Sequence, residues 1–203
     1  MFFPTSLSAI AALIVTCSIS GQALADSTAL YDEAAPADAV FVRLLQTEDT
    51  KPETITFGGQ RLPTDALQSD TYVAISASQL SDTAPGGFYS LVASDASLAV
   101  IQEPARATAS KVQLLLLNAS NEPVRLTLPS RGAEVISAVQ PDTAASRAVN
   151  PVSVALAVER VSDGAILGAF DVSLARGKNL TFVADLNGAR LIENRFGSVL
   201  KVK

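Results

Sequence analysis

Apolar and polar residues alternate along most of this chain, and that period of two constrains it to β-strands. In residues 52–57, Ile55 and Phe57 share one side and Thr54 and Thr56 the other. Val124, Leu126 and Leu128 alternate with Arg125 and Thr127, and Val152, Val154, Leu156 and Val158 alternate with small or charged residues. Residues 180–186 repeat the theme. Successive side chains of a strand point to opposite faces, so such a pattern buries one set and wets the other. No long window places apolar residues at three-and-four spacing; residues 66–67 and 145–148 have room for a helical turn and no more. The fold class this predicts is all-β.

Two runs break the alternation. Residues 40–45 and 112–117 are apolar on nearly both sides, which suits strands that sit centrally in a sheet or lie under a partner. Turn residues separate the runs. Ser162-Asp163-Gly164 reads as a hairpin loop, Asn187-Gly188 as a type I′ turn pair, and Gly58-Gly59 and Pro85-Gly86-Gly87 as further breaks. These turns favour antiparallel pairing. Residues 104–110, with Pro104 and small polar neighbours, read as a linker between two strand-rich halves, 26–103 and 111–203. The expected architecture is two tandem small antiparallel β-sandwich domains joined by that short linker. The halves echo one another: FVRLLQT is followed by ETITFGG, and VQLLLLNAS by VRLTLPSRG. Duplication explains the echo, and so do two sandwiches that merely start alike.

Residues 1–25 read as a secretory signal peptide. An uncharged apolar run over 7–20 leads to Gln22-Ala23-Leu24-Ala25, whose small residues place the cut after Ala25. The other reading of this stretch is an N-terminal membrane anchor. Cleavage removes Cys17, the sole cysteine, and leaves 203 − 25 = 178 residues without a disulfide. The expected compartment is the periplasm. The net charge of −5 does not suit nucleic-acid binding, and it repels a polyanionic polysaccharide unless arginines gather locally.

The chain holds no histidine. That excludes Ser-His-Asp and Cys-His catalysis and His-rich zinc sites. Five lysines leave a Ser-Lys dyad open on paper; the one Ser-x-x-Lys spacing, Ser198 to Lys201, falls in no helical pattern, and the adjacent Ser110 and Lys111 point to opposite faces of a strand. Asp32-Glu33 and Glu48-Asp49 lack the alternate carboxylates and glycine of a calcium loop. The glycines of residues 164–168 form no phosphate loop. No catalytic set, cofactor site or metal site is expected. For a glycan, the chain offers no tryptophan and only Tyr31, Tyr72 and Tyr89. Tyr31, Arg43, Arg125 and Arg147 are the candidate binding residues: an exposed aromatic near the start of the mature chain and three cations able to meet an anionic glycan. The bland reading makes the arginines ordinary exposed strand and loop positions.

Residues 29–36, ALYDEAAP, followed by Ala39-Val40-Phe41-Val42-Arg43, resemble the start of the periplasmic alginate biosynthesis proteins of the AlgF family, and residues 150–156, NPVSVAL, look like the same family's second half. The resemblance implies a pair of β-sandwiches that takes part in O-acetylation of alginate or a related exopolysaccharide. It implies a non-catalytic adaptor whose partners are periplasmic acetyltransferases and the inner-membrane acetyl carrier. The alternative is a module that binds the anionic glycan, alginate itself, and holds it near those enzymes. The chain lacks the Gly-Asp-Ser nucleophile and Asp-x-x-His of such acetyltransferases, and it has no six-residue repeat of the hexapeptide type.

Overall fold

The computed structural model describes residues 34–46, 52–94, 97–106 and 110–202. The expected signal peptide and Tyr31 lie outside the described residues. No helix among the described residues is long and apolar enough to cross a membrane. The described chain is built from strands, with three single-turn 3-10 segments between them. In chain order the strands are β1 (Ala39–Gln46), β2 (Thr54–Phe57), β3 (Gln60–Pro63), β4 (Thr71–Ser76), β5 (Phe88–Ala93), β6 (Leu98–Glu103) and β7 (Val112–Asn118). There follow β8 (Val124–Leu128), β9 (Ala133–Val139), β10 (Thr143–Val149), β11 (Ser153–Arg160), β12 (Ile166–Ser173), β13 (Asn179–Asp185), β14 (Gly188–Glu193) and β15 (Arg195–Val199).

These strands form a first sheet, ordered β15-β4-β1-β5-β6, a second, β10-β7-β13-β14, a third, β12-β11-β8-β9, and the separate hairpin β2-β3. The all-β class and the two-part organisation of the sheets agree with the sequence reading. The expected antiparallel rule needs refinement, because each central pair is parallel: β1 with β5, and β7 with β13. Parallel neighbours are joined by a long crossover rather than a hairpin, so turn residues cannot announce them.

Layering explains the two runs that are apolar on both sides. From β1, Val40, Val42 and Leu44 pack on Ile55, Phe57 and Leu62 of the hairpin. The opposite face of β1 turns to the second sheet, where Leu45, Val92 and Ile101 cluster with Leu117, Val183 and Ile192. The far face of the second sheet, with Leu114, Leu116 and Phe182, meets Leu126, Leu156 and Val158 of the third. The order is therefore hairpin, first sheet, second sheet, third sheet. The central strands of the two inner sheets, β1, β5, β7 and β13, are buried on both sides, and each fully buried Leu or Phe contributes about 1.5–3 kcal/mol.

Two local readings shift. The hairpin between β13 and β14 forms where Asn187-Gly188 marks it, but the turn falls on Leu186 and Asn187. Gly188 opens β14 with φ +128°, and a Cβ there would stand 3.0 Å from the carbonyl oxygen of Leu167. The segment 111–203 also departs from a self-contained sandwich at its end. After the single residue Asn194, β15 pairs in parallel with β4 of the first sheet, and Leu200 and Val202 pack on the first sheet's core. An edge strand added in parallel from the far end of the chain carries no local turn signal.

Candidate functional site

A charged residue in the middle of an inner strand needs partners, because an uncompensated buried ion costs several kcal/mol. Arg43 is that residue. It sits in β1 on the face toward the second sheet and is 0% exposed. Its guanidinium is held from both sides of the seam. Nε donates to Ser90 Oγ (2.8 Å) and Nη2 to Glu103 Oε1 (2.8 Å), both in the first sheet. Nη1 donates to Asn194 Oδ1 (2.7 Å), just past the end of β14, and Nη2 to Thr181 Oγ1 (3.1 Å) in the second sheet. Thr181 Oγ1 in turn donates to Asn194 Oδ1 at 3.0 Å.

Glu103 is satisfied as fully. Ser90 Oγ donates to its Oε1 at 2.6 Å, and the Tyr72 hydroxyl lies 2.8 Å from both carboxylate oxygens. Burial pushes the Tyr72 phenol far above its ordinary value; Arg43 opposes that shift and Glu103 adds to it. Tyr72 therefore remains a hydrogen-bond donor across the working pH range. The Arg43 guanidinium also lies 4.5 Å from the centre of the Tyr72 ring. At the outer end of this centre, Arg106 covers the Phe88 ring at 4.1 Å and approaches Glu103 Oε2 at 4.0 Å. Phe41, Phe88, Tyr72 and the half-exposed Phe196 complete an aromatic rim.

The two halves place these groups at matching positions. β1 is antiparallel to β4 and parallel to β5, and β5 is antiparallel to β6; β7, β10, β13 and β14 repeat the same order and directions. Arg43 pairs with Ser90 across β1 and β5, as Leu115 pairs with Thr181 across β7 and β13. Glu103 lies opposite Phe88, as Asn194 lies opposite Asn179. So the two hydroxyls that meet Arg43 are counterparts, and so are its carboxylate and amide.

The four candidates from sequence do not assemble. Arg43 is corrected from a surface cation to a core residue, since the strand that bears it is covered on both faces. Arg125 is held by Glu159 (3.0 Å) and Glu134 (3.2 Å) on the third sheet. Arg147 is exposed and donates to the carbonyl oxygen of Val135 at 2.9 Å. Tyr31 lies outside the described residues. Glu103, Ser90, Thr181 and Asn194 are absent from the sequence candidates, and Tyr72 is there only as one of three tyrosines. One signal pointed to them: an arginine inside AVFVRLLQ requires acceptors somewhere in the fold. At the opposite end of the seam, Arg190 donates to the carbonyl oxygen of Gln46 (3.0 Å) and pairs with Asp185. A cleft of about 530 Å³ opens beside it, lined by Ser94, Ser97, Ser120, Asn121 and Asp142 among others, with no lysine or arginine among its described lining residues.

Fold and centre together define a class: a duplicated β-protein whose halves share one buried charged joint. A family model described as "Alginate O-acetyl transferase AlgF" matches residues 12–181. The alginate biosynthesis protein AlgF of Azotobacter vinelandii is 28% identical over 172 residues, covering 77% of this chain and 76% of its own. Among solved structures, the C-terminal domain of AlgF from P. aeruginosa is 24% identical and covers 42% of this chain and 97% of itself, with a TM-score of 0.35. The N-terminal domain of the same protein is 18% identical, with 44% and 99% coverage and a TM-score of 0.34. The chain belongs to the AlgF family, a family of alginate O-acetylation and biosynthesis.

Proposed function

We propose that this chain is a periplasmic, non-catalytic adaptor required for O-acetylation of alginate or a related exopolysaccharide, and that it works by binding the periplasmic acetyltransferases and the inner-membrane acetyl carrier. One observation carries the non-catalytic part: the hydroxyls that meet the Arg43–Glu103 pair, those of Ser90, Tyr72 and Thr181, are fully buried in the seam. An acyl carrier needs a reachable nucleophile and a base, and the chain has no histidine to serve as one. A more exposed hydroxyl, Ser76 Oγ, donates to Asp38 at 2.8 Å. That hydrogen bond holds the Asp38 carboxyl below its ordinary value, which makes it a weak base.

The anionic-glycan reading draws less support. Arg43 is consumed in the core, Arg125 is neutralised by two carboxylates, and the large cleft carries Asp142 rather than a cation. Deleting the gene should lower the acetyl content of the secreted polysaccharide, and the mature chain should restore it and retain acetylation enzymes on co-purification. Repeated turnover of an acetyl ester by the purified chain alone would refute the non-catalytic assignment.

A further inference from the structure

The seam between the first and second sheets joins two faces of the same design. Leu45 pairs with Val92 as Leu117 pairs with Val183, in the same parallel register. Ile101 lies opposite Ser90 as Ile192 lies opposite Thr181. Those six apolar residues, three from each half, make one cluster. Apolar burial is non-directional. The cluster by itself therefore suits a first sheet on a second sheet, two first sheets, or two second sheets drawn from two copies of the chain.

The polar centre separates these arrangements. Where the first half has Arg43, the second has Leu115; where the first has Glu103, the second has Asn194. Unlike halves supply one cation, one carboxylate, three hydroxyls (Tyr72, Ser90 and Thr181) and one amide, and every one of these is hydrogen-bonded. Two first sheets face to face would crowd two guanidinium groups and two carboxylates into one dry seam. Two second sheets would leave the Thr181 and Asn194 oxygens without the cation they now accept from. The apolar cluster is the same in all three arrangements, so the cost of burying mismatched polar and charged groups is what separates them.

We propose that Arg43 is a pairing key, which directs the first sheet onto the second sheet of the same chain and disfavours association of like halves between two copies of this chain. A buried polar residue that specifies partner and register at the expense of stability is the best-attested use of such groups.

The test uses the full mature chain. Arg43→Leu combined with Glu103→Asn installs in the first half the residues its counterpart positions already hold. The expected variant retains slow amide exchange in β1, β5, β7 and β13, while its mass by light scattering rises with concentration toward twice that of the parent at the same concentration. Thr181→Val with Asn194→Ala removes only the acceptors of the second half and should give a smaller rise. Parent-like mass at every concentration, with exchange protection intact in both variants, overturns the proposal. Loss of protection in β4 and β6 of the first variant overturns it too, because the ion pair would then be a folding element of its own sheet.

Discussion

The halves share a strand plan and differ in what covers it. The second sheet is capped by a four-stranded sheet, whereas the first is capped by the two-stranded hairpin β2-β3 together with Leu200 and Val202 from the end of the chain. They differ again at the seam, where the apolar counterparts and the Ser90 and Thr181 hydroxyls match but the charged positions do not. Leu45, Val92 and Ile101 answer to Leu117, Val183 and Ile192, but Arg43 answers to Leu115 and Glu103 to Asn194. The lesson is a division of labour: apolar positions supply most of the burial energy of both halves, and the few polar substitutions make them distinguishable.

Core truncation should produce the largest effect and expose the unequal caps. Phe182 and Leu91 occupy matching positions, opposite Leu116 and Leu44. Phe182→Ala should cost about 3–5 kcal/mol and Leu91→Ala about 2–5 kcal/mol in chemical denaturation. Equal costs would indicate that the thin cap seals its core as well as the thick one. A comparison of Arg43→Met with Leu115→Met sharpens the polar contrast. Stranding Glu103 should cost about 3–5 kcal/mol, against less than about 1.5 kcal/mol for the apolar swap. Gly188→Ala adds a strained backbone and a close approach to Leu167, and a loss of about 1 kcal/mol or more in thermal or denaturant melts is expected. Arg125→Ala should have the smallest effect, a denaturation midpoint close to the parent's, because its ion pairs lie at the solvent boundary and are screened. A larger loss there would give the third sheet a polar dependence like that of the seam.

Much of this fold is legible in the chain itself. Alternation locates β2, β8, β11 and β13, and double-sided apolar runs locate β1 and β7. The echo of FVRLLQT and ETITFGG in VQLLLLNAS and VRLTLPSRG corresponds to β1 followed by β2 and β7 followed by β8. The shared strand order and register favour duplication over coincidence. Other features leave no local trace. β15 shows weak alternation, and its pairing with β4 spans most of the chain. Arg43 looks like a surface cation because a strand pattern reports which side a residue faces, not what covers that side. Its acceptors lie 47 to 151 residues away in sequence, beyond any motif.

The return of β15 to the edge of β4 also orders events in time. A chain made from its N-terminus can finish its second and third sheets before its first, because β15 follows every strand of those two sheets in chain order. Until Arg195–Val199 arrives, β4 is an open edge with unpaired backbone groups. The early strands of the first sheet thus wait for β15, and a change that unpairs Arg195–Val199 would be felt first beside β4.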